Sequence, residues 1–153
     1  MPTYSFLDVN ASIDGPGGNF PLGQGAGVDK EGIKIVFADD KNKQDVGADG
    51  QPLNSLRAAQ NGTVTVSLQK TSLVNYLLAN MYNTQKLSSS VWGQNVIVVS
   101  NLQSGDLYSC QQCAFKKFPD NMYSEEATAI AWNFDAGIIE PLLGNGSPAL
   151  PGN

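Results

Sequence analysis

Gly62-Thr63-Val64-Thr65-Val66-Ser67-Leu68-Gln69 alternates without a break, with Val64, Val66 and Leu68 on one parity and Thr63, Thr65, Ser67 and Gln69 on the other. Successive side chains of a strand point to opposite faces, so this stretch reads as a β-strand with one core face and one polar, uncharged face. Directly after it, Thr71 or Ser72 caps a helix: Leu73, Val74, Leu77, Leu78, Met81 and Tyr82 recur at helical spacing and form one apolar stripe. A sheet carrying a single helix is the frame from which the rest of the chain is read.

Upstream, Tyr4 to Ile13 has the pattern of a half-buried strand, with Leu7, Val9, Ala11 and Ile13 opposed to Phe6, Asp8, Asn10 and Ser12. Asp14 to Gly27 is rich in glycine and reads as a long loop. Gly32 to Asp39 is a second strand, Ile33, Ile35 and Phe37 facing one way and Lys34 and Val36 the other, and Asp39 to Asn61 a second long polar connection with a helical turn around Leu53 to Ala59. Downstream, Asn95 to Asn101 and Leu107 to Phe115 form a hairpin through Gln103-Ser104-Gly105-Asp106. Glu125 to Asp135 is a last strand, with Thr128, Ile130, Trp132 and Phe134 turned to the core. From about residue 144 the chain reads as a flexible tail. The expected fold is mainly β, a β-sandwich or partly open barrel with one α-helix, and all 153 residues form one domain.

Hydrophobic residues make up 41% of the chain and charged residues only 15%, below the roughly 25% usual in soluble proteins. A weakly charged surface rich in amides and hydroxyls suits a chain whose surface meets other protein. The net charge of -5 leaves no clustered Lys and Arg footprint for sequence-reading nucleic-acid binding. No apolar run approaches the roughly 20 residues of a membrane helix. The first residues, Met1 to Asp8, lack a basic n-region, so the expectation is synthesis in a cytoplasm, where the sequons at Asn10, Asn61 and Asn145 carry no meaning.

There is no histidine, which removes every His-based triad and the commonest metal ligand. Cys110 and Cys113 have CxxC spacing but lie inside a strand, where three residues apart they should point to opposite faces. They read as small buried side chains. Asp40-Lys41-Asn42-Lys43-Gln44-Asp45 starts like a calcium loop and fails at Asp45, where glycine is needed, and at Gln51, where a bidentate Glu belongs. Gly23, Gly25 and Gly27 lack the strand-to-helix setting and the following Lys of a phosphate loop. Glu125 and Glu126 face opposite sides and cannot share a proton. No catalytic residue, metal or cofactor emerges, and the reading is a non-enzymatic protein.

The ordered series Gly32-Ile33-Lys34-Ile35-Val36-Phe37-Ala38-Asp39-Asp40-Lys41-Asn42, Gly47-Ala48-Asp49-Gly50, then Gly62 to Ser72 with the helix, and finally Ala131-Trp132-Asn133-Phe134, resembles the tail tube proteins of contractile-tailed bacteriophages. The similarity runs over roughly Tyr4 to Leu143. It implies a virion subunit that assembles with itself into hexameric rings stacked as a hollow tube. A contractile sheath would surround that tube, with baseplate and tail terminator proteins at its ends and DNA passing through the bore without sequence-specific binding. On that resemblance Thr63, Thr65, Ser67 and Gln69 are candidates to face the lumen. Gly15, Gly18, Phe20, Gly25, Asp40, Asn42 and Asp49 sit on the loops expected to reach other subunits or the next ring.

Two alternatives stay open. The inner tube of a tailocin or a type VI-like injection system would share the assembly and differ in cargo. A β-sandwich carbohydrate-binding module would need an aromatic platform, whereas Trp92 and Trp132 fall in or near core strands. Read by itself, a Thr/Ser face is also an ordinary solvent-exposed sheet surface.

Overall fold

The alternation of Gly62 to Leu68 becomes a central strand in the computed structural model, which describes residues 3–23 and 27–144. Among those residues there are nine strands: β1 (Val9–Gly15), β2 (Gly18–Pro21), β3 (Val28–Phe37), β4 (Asn42–Val46), β5 (Pro52–Leu56), β6 (Gly62–Leu68), β7 (Asn95–Asn101), β8 (Asp106–Phe115) and β9 (Ile130–Leu142). One helix, α1 (Leu73–Gln85), follows β6, and a short 3-10 turn (Phe6–Asp8) precedes β1. Seven strands form one antiparallel sheet in the order β2-β1-β7-β8-β9-β6-β3, and β4 with β5 forms a separate hairpin. The sheet curls into a half-barrel around its core.

The core follows the alternation. Val64, Val66 and Leu68 of β6 lie against Ile130, Trp132 and Phe134 of β9, Ile13 of β1 and Ile97 of β7, all buried. Phe115 ties the aromatics together, with ring centroids 4.8 Å from Phe134 and 5.9 Å from Trp132. Ser72 caps α1, its hydroxyl accepting from the Val74 N–H at 3.2 Å. Val74, Leu78 and Met81 face the sheet, and the Trp132 indole N–H donates to Asn75 Oδ1 at 3.0 Å, fixing helix to sheet. Leu73, placed in the apolar stripe by spacing, is exposed at the first turn.

Several expectations are corrected. The first strand starts at Val9, because Ser5 accepts from the Leu7 N–H and winds Phe6–Asp8 into a 3-10 turn; Leu7 is exposed. The glycine-rich stretch after Asp14 is no long loop at its start. Gly15 pairs with Gly18, Pro16-Gly17 make the turn, and β2 runs on to Pro21. Both glycines are needed for close approach: a Cβ on Gly15 would sit 1.9 Å from Asn95 Oδ1, and one on Gly18 would sit 3.0 Å from Met81 Cγ. The Asp39–Asn61 connection holds a hairpin instead of a helical turn. The last strand begins five residues later than read, leaving Thr128 exposed, and continues to Leu142. Residues of the expected tail beyond 144 lie outside the described residues.

Cys110 and Cys113 do not point to opposite faces. Gln112 takes a φ of 54°, and β8 gains a residue against β7 between Cys110↔Ile97 and Cys113↔Asn95, so the alternation is reset and both thiols enter the core. Strand β9 changes parity in step, Ala136 and Ile139 both being buried, with Gly137 seated against the Gln112 side chain.

Candidate assembly surfaces

The helix covers one face of the sheet and leaves the other bare. Register places Lys34, Thr65 and Asn133 in one row of that helix-free face, and Val36, Thr63, Asp135 and Ala114 in the next. Ser12, Val98, Ser109 and Glu140 make a third. Thr65 Oγ1 donates to Asn133 Oδ1 at 2.7 Å, joining β6 to β9 through side chains as well as backbone. Among the described side chains on this face the charged ones are Asp14, Lys34, Asp135 and Glu140, so hydroxyls, amides and small residues dominate. Thr63 and Thr65 are half-buried here, Ser67 shares their parity and is buried, and Gln69 lies one residue past β6, exposed. The structure thus brings three of the four candidate lumen residues onto one face.

The sheet has two open edges. Strand β2 is four residues long and ends on Pro21, which has no N–H to offer a neighbour. Strand β3 is ten residues long, is bulged between Val28 and Ile33, and pairs only on its β6 side.

Between β3 and β6 the β4–β5 hairpin stands out as an arm. Gly50 at φ 83° and the Asp49 carboxylate accepting from the Gln51 N–H at 3.1 Å close its turn. Every residue of both strands is exposed. The register puts Asn42, Gln44, Val46, Pro52, Asn54 and Leu56 on one uncharged face, laced by Gln44 Nε2 donating to Asn54 Oδ1 at 3.1 Å. The other face carries Lys43, Asp45, Leu53 and Ser55. The loop candidates Asp40, Asn42 and Asp49 all belong to this arm and its base. Gly15, Gly18 and Phe20 belong to the β1–β2 hairpin, packed toward α1, and Gly25 lies outside the described residues. Sequence reading missed Val46, Leu53 and Leu56. The one signal was Asp49-Gly50, a turn pair with a glycine at the position that takes a positive φ.

At the end of the half-barrel away from α1 the core is incompletely covered. Strand β3 curls back toward β1, β7 and β8, leaving a mouth of about 270 Å³ between Ile33 and Ile35 on one side and Val9, Val99 and Tyr108 on the other, with Phe6 at its lip.

No group of three or more acids and cysteines among the described residues is arranged to hold a metal ion. Burial pushes the Cys110 thiol up to about 11 and the Cys113 thiol up to about 12, the reverse of what a nucleophile or metal ligand needs. Trp132 is buried and Trp92 packs edge-on to Tyr82 at 5.9 Å, so neither offers a flat platform to a sugar. No described helix is long and apolar enough to cross a membrane.

This fold is similar to that of chains from contractile injection systems. A chain of the anti-feeding prophage baseplate, in its six-fold symmetrised structure, superposes with a TM-score of 0.60 at 9% identity, over 93% of this chain and 96% of that one. A chain of the sheath–tube complex of the PVC extracellular contractile injection system, in the extended state, gives 0.58 at 9% identity, covering 92% of each. The sheath/tube terminator structure of the same system gives 0.54 at 12% identity, over 92% and 96%. The chain belongs to the bacteriophage PhiTE tail tube protein family, whose family model matches residues 1–144. It is a structural subunit of a phage tail tube. No curated protein sequence matches it.

Proposed function

We propose that the protein closes into hexameric rings that stack into the hollow tube of a contractile tail, with the helix-free face of the sheet lining the bore through which DNA leaves the capsid. The observation that carries this is the pairing of a helix-free, mostly uncharged sheet face with open sheet edges. A face of hydroxyls and amides with a small acidic excess wets the bore and gives DNA phosphates nothing to bind. Open edges, a liability in a monomer, serve as joining surfaces when copies meet head to tail and the rotation closes. On this reading Thr63 and Thr65 face the lumen, while Ser67 shares their parity but is buried within the subunit. Helix α1 lies on the other side of the sheet and faces the sheath; its thirteen residues include no charged side chain, and Tyr76, Asn80 and Asn83 stand outward. The arm, with Asp40, Asn42 and Asp49, reaches a neighbouring subunit, and baseplate and terminator proteins meet the two ends of the stack. No catalytic step is assigned to the protein.

The inner tube of a tailocin or type VI-like system would use the same surfaces, and capsid and packaging genes beside this one would decide for the phage. Image reconstruction of purified tails is the direct test. It should show hexameric rings with β6 and β9 around the bore and α1 outside. A tail whose bore is lined by α1, or purified particles in which mass spectrometry finds no trace of this chain, would refute the proposal.

A further inference from the structure

The mouth at the open end of the half-barrel leaves Ile33, Ile35, Val99 and Tyr108 only half-buried, although all four pack against the core. The described chain ends on the rim of this same opening. The Gly144 N–H donates to Asp106 Oδ1 at 2.8 Å, and Asp106 lines the mouth. Gly144 also presses on the turn between β7 and β8, where a Cβ would fall 1.6 Å from the Ser104 carbonyl oxygen. The hydroxyl of that same Ser104 is buried with no hydrogen-bond partner among the described residues. Asn145, next in the chain, carries both a donor and an acceptor.

We propose that residues 145–153 of the same chain cover the mouth, with Leu150 seated between Ile33 and Ile35 of β3 and Val99 of β7. The segment Asn145-Gly146-Ser147-Pro148-Ala149-Leu150-Pro151-Gly152-Asn153 has no charged side chain and a single large apolar one, Leu150. Starting at the rim, Leu150 has a reach of up to about 20 Å from Gly144, at roughly 3.3 Å per extended residue. A cavity of about 150 Å³ accepts a benzene ring, so the mouth of about 270 Å³ takes one leucine side chain with room for part of a neighbour. Pro151 restricts Leu150 to extended backbone before docking, which lowers the entropy lost on ordering it. The covered mouth completes the core within one subunit.

Methyl-labelled full-length chain, kept unassembled by dilution, gives the direct test by nuclear magnetic resonance. The Leu150 methyl signals, identified by their loss in Leu150→Ser, should show Overhauser contacts to the Ile35 and Val99 methyls. Those contacts should persist when the labelled chain is mixed with excess unlabelled chain. Full burial of one leucine corresponds to about tenfold or more in a folding equilibrium. Leu150→Asp should therefore keep the circular dichroism of the wild type and raise the unfolded fraction in chemical denaturation by about that factor. Leu87→Asp, at an exposed position away from the mouth, should change it by less than about twofold. Contacts that vanish on mixing, and so come from a second copy, overturn the proposal. So does a mouth whose methyls contact Met1, the β4–β5 arm or nothing, or a Leu150→Asp chain as stable as Leu87→Asp. The contact lies within one subunit, so either result leaves the tube reading where it stands.

Discussion

Gln85 and Asn95 are the residues on which the packing of α1 against β1, β2 and β7 turns. Both are buried; Gln85 Nε2 donates to Asn95 Oδ1 at 2.7 Å and to the Pro16 carbonyl at 2.9 Å, and Asn95 Nδ2 returns a bond to Gln85 Oε1 at 3.1 Å. Gln85→Met keeps the volume and orphans the Asn95 amide, so chemical denaturation should report a loss of about 1–3 kcal/mol. The Gln85→Met, Asn95→Leu double variant should lose less than the sum of the two single variants. Gly15→Ala should destabilise too, since its methyl would overlap Asn95 Oδ1 and pry open this same pair. For the cysteines the sign is set by burial. The native state holds Cys110 and Cys113 as thiols up to about 11 and about 12, whereas an unfolded chain ionises near the ordinary thiol value of 9.0. The stability they contribute is therefore full below pH about 9 and is lost as pH rises toward the folded values. Unfolding free energy measured from pH 8 to pH 11 should fall, and Cys110→Ala/Cys113→Ala should flatten that fall. No pattern in the sequence pairs Gln85 with Asn95: the helix stripe ends in a polar residue, and only the tertiary approach of the β1–β2 turn explains it.

At the scale of elements, the longer strands with an alternating apolar side were legible, whereas the four-residue β2, read as loop although Phe20 packs on the core, and the bare β4 and β5 were not. Strands β6, β7 and β8 and helix α1 lie where alternation and helical spacing put them, because each has one apolar side to bury. Strands β4 and β5 have no buried side, so no apolar periodicity announces them; turn chemistry at Asp49-Gly50 and the pairing of Gln44 with Asn54 hold the arm instead. Because the arm contributes nothing to the core, replacing residues 42–56 with a short Gly-Ser linker should leave thermal unfolding within about 0.5 kcal/mol of wild type and abolish tube formation. Light scattering and electron microscopy of the same sample would separate the two effects. The kink at Gln112 is another element-scale feature hidden from alternation. A single added residue in β8 reverses every later side chain, and strict period-two reading carries Cys110 and Cys113 to opposite faces.

For the whole molecule the two sides of the sheet have different work. The helix side closes the core; the bare side is smooth, and the tube reading assigns it to the lumen. Ala131 is exposed beside Ser67 on that face, so Ala131→Lys changes the charge there without touching the core. Tails should still assemble. An added cation per subunit facing DNA, each exposed contact being worth about 1 kcal/mol or less, should slow genome release about severalfold, with the deficit shrinking as salt rises. Release rates unchanged at low salt would place the bore elsewhere.

The β class, the one helix with a cap at Thr71 or Ser72, the polarity of the β6 faces and the lack of histidine could be read directly from the chain, because each is written in local spacing or composition. The ordered similarity from Gly32 to Phe134 also pointed to the tube family. That both thiols share the core, that the Asp39–Asn61 connection is a bare arm, and that the half-barrel ends in an open mouth emerge from the folded chain alone. These depend on how distant strands register and on how far the sheet curls, and long-range packing sets those quantities after local patterns have been satisfied.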